Sequence, residues 1–298
     1  MLSILIPVYN YDVLPLVNEV VKQCNCIGID FEILCQDDAS NSTKNILNQE
    51  INLLPNCSFF INQSNLGRGR NINSLAKKSK YDYVLIMEAD SFPENQSYIK
   101  NYIEVLKIPE TVIFGGVKYP ETIPPKEKIL RWKYGLKRET KSLKHRLKNN
   151  YDFVFTWNLL LKKEILLKYP FPEFISEYGY EDLIFIKNLR KNSIAVHHIE
   201  NHLVHLNNEN SIDFIRKTES AISNLQNLIS EQKIDYEEVK LTRVYSVLNK
   251  LHLKGIIKTF YSKNKSKMIR NLTSPNPNLY LFDFYKLGYL CSLKNNLL

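Results

Sequence analysis

Short apolar runs alternate with amphipathic stretches over residues 1–115 of the chain. The apolar runs cover residues 2–8, 31–35, 58–61 and 83–87. The first stretch between them has helical spacing of its apolar residues, which are Val13, Leu16, Val17, Val20, Val21 and Cys24. Strands that alternate with helices predict an α/β fold with a doubly wound, mostly parallel, Rossmann-like sheet. Right-handed crossovers would place the polar ends of these strands at one edge of the sheet.

The middle of the chain is less regular. An apolar run at residues 110–116 predicts a further strand, and the basic stretch at residues 126–148 predicts a loop or helix outside the core. Strand-like runs return at residues 152–161 and 194–199. These runs predict two further strands.

The last part of the chain is helical in pattern. Apolar residues recur at helical spacing from Ser211 to Gln232, and the tail from Asp235 is helical, basic and aromatic. We therefore predict an α/β domain over residues 1–210 and a helical region over residues 211–298. The tail would either pack on the α/β domain or lie on a membrane with its basic residues near acidic headgroups. These residues are Lys263, Lys265, Lys267 and Arg270.

Two carboxylates directly follow the apolar run at residues 83–87. Glu88 and Asp90 lie two positions apart, so in extended backbone both side chains would point toward one crevice at the strand end. Hard divalent cations prefer oxygen ligands and often bind carboxylates together with substrate phosphates. The pattern therefore suggests a metal-diphosphate site, although an acidic turn after a strand is also common.

A second acidic pair, Glu181-Asp182, follows Gly179 and opens a predicted helix. Negative charge is favoured at a helix start, so the pair fits either a structural or a catalytic role. Four histidines follow, and a neutral imidazole is a common metal ligand. They are His197, His198, His202 and His205.

The composition indicates a globular protein that contacts anions. The 298 residues are 44% hydrophobic, enough for a sizeable core, and the formal net charge is +9. The five cysteines lack the paired spacing of a zinc site, so we expect free thiols. The sequence shows neither a signal peptide nor a spanning apolar segment. We therefore expect a cytoplasmic protein, at the inner face of the membrane if the tail binds lipid.

The motifs, taken in order, resemble those of family-2 glycosyltransferases of the GT-A fold. They are Ile-Pro-Val-Tyr-Asn at 6–10, Asp-Asp-Ala-Ser at 37–40, Asn-Leu-Gly-x-x-Arg-Asn at 65–71, Glu-Ala-Asp at 88–90 and Tyr-Glu-Asp-Leu at 180–183. The resemblance covers residues 1–210 and extends to bacterial members that build surface polysaccharides. It implies an inverting, metal-dependent enzyme, with a nucleotide-sugar-binding half at residues 1–115 and an acceptor and catalytic half at residues 116–210.

Residue by residue, the resemblance implies how a donor such as a UDP-sugar would be bound. Pro7 and Tyr9 would line the base pocket, and Asp37 would hydrogen-bond the base. Arg70 would approach the ribose or the diphosphate, because a guanidinium fork suits phosphate oxygens. The sugar would be a hexose or an N-acetylhexosamine.

The resemblance also implies a metal site within the donor site. The segment Glu88-Ala89-Asp90 would contact the donor, and Asp90 would bind Mn²⁺ or Mg²⁺ directly. Glu88 stands where the family more often has aspartate, so its own contact is open. Among the histidines, His205 best matches the downstream metal ligand of many relatives.

The catalytic residues implied by the resemblance are the pair Glu181 and Asp182, with Asp182 favoured as the general base for the acceptor hydroxyl. Trp157, Asn158 and Gly116 would shape the acceptor pocket. The acceptor would be a saccharide or a lipid-linked saccharide in capsule or lipopolysaccharide synthesis.

Three other functions fit parts of the sequence. A nucleotidyltransferase would need a glycine-rich phosphate loop, and residues 7–10 contain no glycine. A nucleic-acid-binding module would fit the net charge, but the basic residues form no recognised motif, so we expect no nucleic-acid partner. A non-catalytic relative that binds sugar nucleotide or acts as a scaffold is the main alternative.

Overall fold

The computed structural model describes residues 1–106, 112–175, 177–206 and 209–293. Within these residues, seven strands form a sheet of order β3-β2-β1-β4-β8-β6-β9, and three form a small sheet of order β5-β10-β7. The strands are β1 (Leu2–Val8), β2 (Phe31–Asp37), β3 (Cys57–Ile61), β4 (Tyr83–Met87), β5 (Ser91–Pro93), β6 (Val112–Phe114), β7 (Val117–Lys118), β8 (Asn158–Lys162), β9 (Val196–His198) and β10 (Leu203–His205).

The large sheet is mostly parallel, as predicted. β1 pairs in parallel with β2 and β4, and β2 pairs in parallel with β3. β8 is antiparallel to both β4 and β6. All seven residues of β1 and of β2 are buried, which is typical of strands covered on both faces.

Two predicted strands differ from the observed ones at their beginnings. The predicted run at 110–116 contains β6, and its first two residues lie outside the described part of the chain. The predicted run at 152–161 becomes extended only at Asn158, where β8 begins. Residues 151–153 form a turn instead, with Phe153 in the left-handed region at φ +57°.

The α-helices of the described residues lie between the strands and in the last part of the chain. They are α1 (Leu14–Ile27), α2 (Asn45–Asn48), α3 (Arg68–Lys78), α4 (Tyr98–Val105), α5 (Ile129–Tyr134), α6 (Leu143–Arg146), α7 (Lys163–Lys168), α8 (Glu181–Lys191), α9 (Ser211–Ser230), α10 (Lys240–Lys250), α11 (Lys254–Leu272) and α12 (Leu279–Ser292). Short 3₁₀ turns cover Gln49–Leu53 and Lys126–Lys128, and a π-helical turn covers Gly135–Glu139.

Helix α1 shows how the local sequence sets an element. A proline lies in its first turn, where a backbone N–H is not needed, and the helix ends at Gly28 in the left-handed conformation. Its apolar stripe, which includes Val17, Val20 and Cys24, is fully buried in the main core. That core joins the strands of the large sheet to the helices around it.

The chain divides into two compact units. The first comprises Met1–Pro120, Arg138–Ser176 and Glu181–Leu206, and contains both sheets. The second comprises Glu121–Lys137, Glu177–Tyr180 and Asn207–Leu298. The predicted domains, 1–210 and 211–298, stay a prediction, and the second unit includes two earlier segments that the pattern did not indicate.

The second unit has apolar clusters of its own. The larger joins Leu130 of α5 and Ile215 of α9 to buried residues of α11 and α12, among them Met268 and Phe282. The five cysteines are free thiols. Among the helices of the described residues, none has the length and apolar character needed to cross a bilayer.

Candidate active site

The carboxyl ends of β1, β2 and β4 lie at one edge of the sheet, because these strands are parallel neighbours. This edge brings together several of the predicted donor residues. Tyr9 follows β1 and is exposed, whereas Pro7 within β1 is buried. Asp37 ends β2, and Glu88 follows β4.

Two adjacent aspartates organise the loops at this edge. Asp37 is fully buried and accepts hydrogen bonds from the backbone N–H of Ser40 at 2.9 Å and from its hydroxyl at 2.6 Å. Asp38 accepts from the backbone N–H groups of Leu66 and Gly67, both at 2.8 Å. Asp38 therefore fixes the turn that begins α3, a role that the sequence analysis did not assign.

The turn places two arginines differently. Arg70, the predicted donor contact, donates from Nε to the backbone carbonyl of Leu66. Arg68, which was not predicted as a site residue, reaches the acidic side chains at the strand ends. The predicted donor role of Arg70 stays a prediction, and Arg68 joins the candidate site.

Arg68 links three elements of the first unit. Its Nε donates to Oε2 of Glu88 at 2.9 Å. Its Nη1 donates to Oδ1 of Asp182 at 3.0 Å and to the hydroxyl of Thr156 at 2.9 Å. Thr156 in turn donates to the same Oδ1 of Asp182 at 2.5 Å. The guanidinium therefore holds the carboxylate after β4 and the carboxylate at the start of α8 in one cluster.

The charged side chains of this cluster are partly buried, and ion pairs are stronger there than at the open surface. Burial favours the neutral guanidine, but attraction to Glu88, Asp182 and Glu181 outweighs it and raises the pKa of Arg68 overall. Burial raises the pKa of Glu88 to about 6, against the opposing attraction of Arg68. One guanidinium therefore faces several carboxylates, so the cluster has an excess of negative charge, which would favour binding of a cation.

The two carboxylates at the start of α8 differ in their surroundings: Asp182 is held by hydrogen bonds, and one oxygen of Glu181 is buried. Both hydrogen bonds to Asp182 fall on Oδ1, so among the described residues Oδ2 accepts none and stays available to a ligand. Oε2 of Glu181 is buried and accepts no hydrogen bond from the described residues. Burial, followed by the charge of Asp182, raises the pKa of Glu181.

The raised pKa of Glu181 gives the first testable prediction. The folded protein binds a proton on Glu181 more tightly than the unfolded chain does, so ionisation costs stability once the pH rises above the ordinary glutamate pKa of 4.5. Glu181→Gln removes this cost, and we expect it to unfold at a higher temperature than the parent at pH 8, with the difference shrinking toward pH 4. Thermal unfolding across pH checks this, and a difference that grows as the pH falls would contradict it.

The Glu88-Ala89-Asp90 segment is a turn rather than extended backbone, which corrects the argument that both carboxylates point one way. β4 ends at Met87, and the backbone N–H and the hydroxyl of Ser91 donate to the carbonyl of Glu88 at 3.2 and 2.7 Å. Glu88 contacts Arg68 and Asp90 contacts His205, and the two carboxylates stay close enough for the charge of Asp90 to add to burial in raising the pKa of Glu88.

Asp90 lies beside His205, the predicted second metal ligand. β10 pairs antiparallel with β5, which sets His205 opposite Ser91. Nε2 of His205 lies 3.4 Å from Oδ2 of Asp90. The imidazole stacks on Tyr119 and makes an edge contact with Trp157, and these rings fix its orientation.

The other histidines near β9 and β10 have different partners. His198 lies between Arg146 and the backbone carbonyl of Asn150, and burial lowers its pKa. His202 contacts Glu94 through Nδ1 at 2.9 Å and Glu200 through Nε2 at 2.8 Å. The geometry thus favours His205 as the histidine of the candidate metal site.

Asp90 and His205 fit a divalent cation in part. A carboxylate oxygen and an imidazole nitrogen close together suit Mn²⁺ well, whereas Mg²⁺ prefers oxygen ligands. The described residues contain no group of three or more histidine, cysteine or acidic side chains arranged to hold a metal. These two side chains would therefore need donor phosphates and water to complete the coordination.

The predicted acceptor residues lie in a tight part of the first unit. Oδ1 of Asn158 accepts from the hydroxyls of Tyr98 and Tyr102, and its Nδ2 donates to the carbonyls of Gly116 and Asn201. Since Asn158 is fully buried and all its hydrogen-bonding groups are used, we assign it a structural role and do not propose it as an acceptor contact.

The acceptor roles of Gly116 and Trp157 stay predictions. Gly116 has φ +88°, and a Cβ there would lie 2.8 Å from the side chains of Arg146 and His202, so the position demands glycine. Trp157 is buried beside Phe155 and His205. Gly116 therefore allows a close backbone approach, and Trp157 packs against His205.

The sequence comparison identifies the family. The family model described as "Glycosyl transferase family 2" matches residues 3–169, more than half of the chain. The chain belongs to glycosyl transferase family 2. No curated protein matches the chain significantly.

Solved structures of low sequence identity share the GT-A fold. Mannosyl-3-phosphoglycerate synthase from Rubrobacter xylanophilus is 17% identical with a TM-score of 0.54, over 79% of this chain and 76% of that one. Mannosyltransferase PcManGT from Pyrobaculum calidifontis, in complex with GDP-Man and Mn²⁺, is 14% identical with a TM-score of 0.53, over 96% and 86%.

Structures of S. aureus TarS are also similar to this chain. Its 1–349 fragment in complex with UDP-GlcNAc is 18% identical with a TM-score of 0.50, over 97% of this chain and 89% of the fragment. In a longer TarS structure, with a TM-score of 0.49, the match spans only 39% of that chain. At these identities the likeness shows the fold alone.

Proposed function

We propose that this protein is an inverting, metal-dependent glycosyltransferase. It moves a hexosyl or N-acetylhexosaminyl group from a nucleotide-diphosphate donor, a UDP-sugar, to a hydroxyl of a saccharide or lipid-linked saccharide. The observation that carries the proposal is the convergence of Arg68, Thr156 and Asp182 at the sheet edge that also carries Glu88.

Asp182 is the general base of this proposal. Arg68 and Thr156 hold Oδ1, so Oδ2 is positioned to take the proton of the acceptor hydroxyl as that oxygen attacks the anomeric carbon. The bond to the leaving diphosphate breaks on the opposite face of the sugar, and this single displacement inverts the anomeric centre. Glu181, whose free oxygen is buried, contributes charge to the site.

The donor occupies the ends of β1, β2 and β4. Tyr9 and Pro7 line the base pocket, Asp37 faces the base, and Arg70 approaches the ribose or diphosphate. Asp90 and His205 would hold Mn²⁺ or Mg²⁺, which would offset the negative charge that develops on the leaving diphosphate. The TarS fragment with UDP-GlcNAc and the mannosyltransferase with GDP-Man and Mn²⁺ are relatives of this fold that bind such ligands.

The wider role we propose is bacterial surface polysaccharide synthesis, in capsule or lipopolysaccharide. The protein would act in the cytoplasm at the inner face of the membrane, where lipid-linked acceptors are presented, and its basic C-terminal region would contact that face. This part of the proposal rests on the motif resemblance and on the charge of residues 211–298.

Release of nucleoside diphosphate tests the proposal. The protein is incubated with UDP-sugars and Mn²⁺, with and without oligosaccharide acceptors, and free UDP is measured. We expect release that requires Mn²⁺ and that Asp182→Asn abolishes. Nucleotide binding without release from any donor and acceptor would instead favour the non-catalytic, sugar-nucleotide-binding alternative.

A further inference from the structure

A long part of the second unit contains basic residues and no acidic ones. Residues 239–282 contain nine Lys and Arg residues and no Asp or Glu. They cover α10, α11 and the start of α12. The basic residues are Lys240, Arg243, Lys250, Lys254, Lys258, Lys263, Lys265, Lys267 and Arg270.

The outer face of α11 combines apolar and basic side chains. Ile256, Phe260, Lys263 and Lys267 are spaced by four, three and four residues, so they form one stripe along the helix. Ile256 is 64% exposed and Phe260 is 53% exposed, and both lysines are also exposed. The opposite face, which includes Met268, is buried in the apolar cluster with α12.

The outer face of α10 continues this pattern. Lys240, Val244, Val247 and Leu251 are spaced by four, three and four residues, and Val247 and Leu251 are 56% and 60% exposed. Leu251 lies in the three-residue connection between the two helices. The exposed apolar side chains therefore continue through the end of α10 into the first turn of α11.

Lys265 differs from its neighbours. Its Nζ donates to Oε1 of Glu219 at 2.8 Å and lies over the rings of Tyr261, Tyr285 and Tyr289. This pairing corrects the expectation that Lys265 faces lipid headgroups. The structure leaves that role to residues such as Lys263 and Lys267.

We propose that the outer faces of α10 and α11 form a docking surface for an anionic lipid bilayer. Val247, Leu251, Ile256 and Phe260 would enter the interface between headgroups and acyl chains. The lysines of both stripes and their neighbours would contact the acidic headgroups. The inference deepens the membrane contact named in the proposed function, and it assigns that contact to particular residues.

Two observations favour a bilayer over another partner. Exposed aliphatic and aromatic side chains in a row are costly in water and have no use in a purely electrostatic contact with nucleic acid. The excess of basic over acidic residues in this segment complements a surface of acidic headgroups, to which each Lys or Arg near the surface adds attraction. Only a negatively charged surface with an apolar interior satisfies both features.

Vesicle binding tests the proposal with the full chain. Sedimentation is measured with vesicles of phosphatidylcholine alone and of phosphatidylcholine mixed with phosphatidylglycerol. We expect binding to the mixed vesicles only, weakened by salt. Lys263→Gln with Lys267→Gln should weaken binding by about fivefold for each lysine. Leu251→Ser with Ile256→Ser should weaken it at least about tenfold.

Matched controls lie in the first unit. Ile46→Ser with Leu53→Ser removes two exposed apolar side chains, and Lys22→Gln with Lys191→Gln removes two exposed charges. Both control pairs should bind like the parent. Absence of binding to mixed vesicles, or equal losses in the controls, would overturn the proposal. Because no sugar transfer is measured, this result is independent of the enzymatic proposal.

Discussion

Asp182→Asn is expected to lower kcat by about 10²- to 10⁴-fold while leaving the donor Kd within about twofold of the parent. The amide cannot accept the proton of the acceptor hydroxyl, yet it keeps the size of the side chain and an oxygen for Thr156 and Arg68. Turnover measured as UDP release and donor affinity measured by calorimetry separate the two effects.

Asp213→Asn is the matched control for Asp182→Asn. Asp213 also lies in the first turn of a helix and pairs with an arginine, Arg216, at 3.1 Å. It belongs to the second unit and is not one of the candidate site residues, so the substitution should leave kcat unchanged. Near-parental turnover in Asp182→Asn would remove Asp182 from the role of base and direct attention to Glu181.

Arg68→Met is expected to reduce kcat strongly and to lower the stability of the fold. It removes the donor that holds Oδ1 of Asp182 and leaves Glu88 and Asp182 facing each other without a counter-charge. The side chains of Arg68, Glu88 and Asp182 are 20%, 25% and 32% exposed, so the pair energies lie between buried and surface values. We expect a loss of about 2 kcal/mol in the free energy of unfolding.

The measurement on the Arg68 variants must distinguish a role in positioning Asp182 from a role in stabilising the fold. Loss of Arg68 should lower kcat even at temperatures well below the unfolding transition, which a stability defect alone would not do. Arg68→Lys keeps the charge and should recover part of the stability. Arg216→Met serves as the exposed control. A fall in kcat that disappears when activity is expressed per folded protein would show that Arg68 acts only on the fold.

The fold was predictable because its signals are local. Apolar runs bounded by turn residues gave the strands β1 to β4, and the acidic pair after Gly179 gave the beginning of α8 at Glu181. The division into units was harder to predict. Residues 121–137 and 177–180 join the second unit through contacts across the chain, and no local pattern encodes such contacts.

The site was predictable only in part, because its roles depend on side chains far apart in sequence. Arg68 lies 114 residues from Asp182, and Thr156 lies 26 residues from it, so spacing gives no sign of the contacts. Asn158 was predicted to shape the acceptor pocket, but its side chain makes four buried hydrogen bonds, so we assign it a structural role. The prediction for His205 rested on a motif, and the pairing of β10 with β5 explains its approach to Asp90.

The central claim is a metal-dependent donor site at the strand ends. Calorimetric titration of UDP, with and without Mn²⁺, into the parent, Asp90→Asn and His205→Ala tests it most directly. The account predicts binding by the parent that is lost without Mn²⁺ and is weakened at least about tenfold in both variants. Parental affinity in both variants, or binding that does not depend on Mn²⁺, would contradict it.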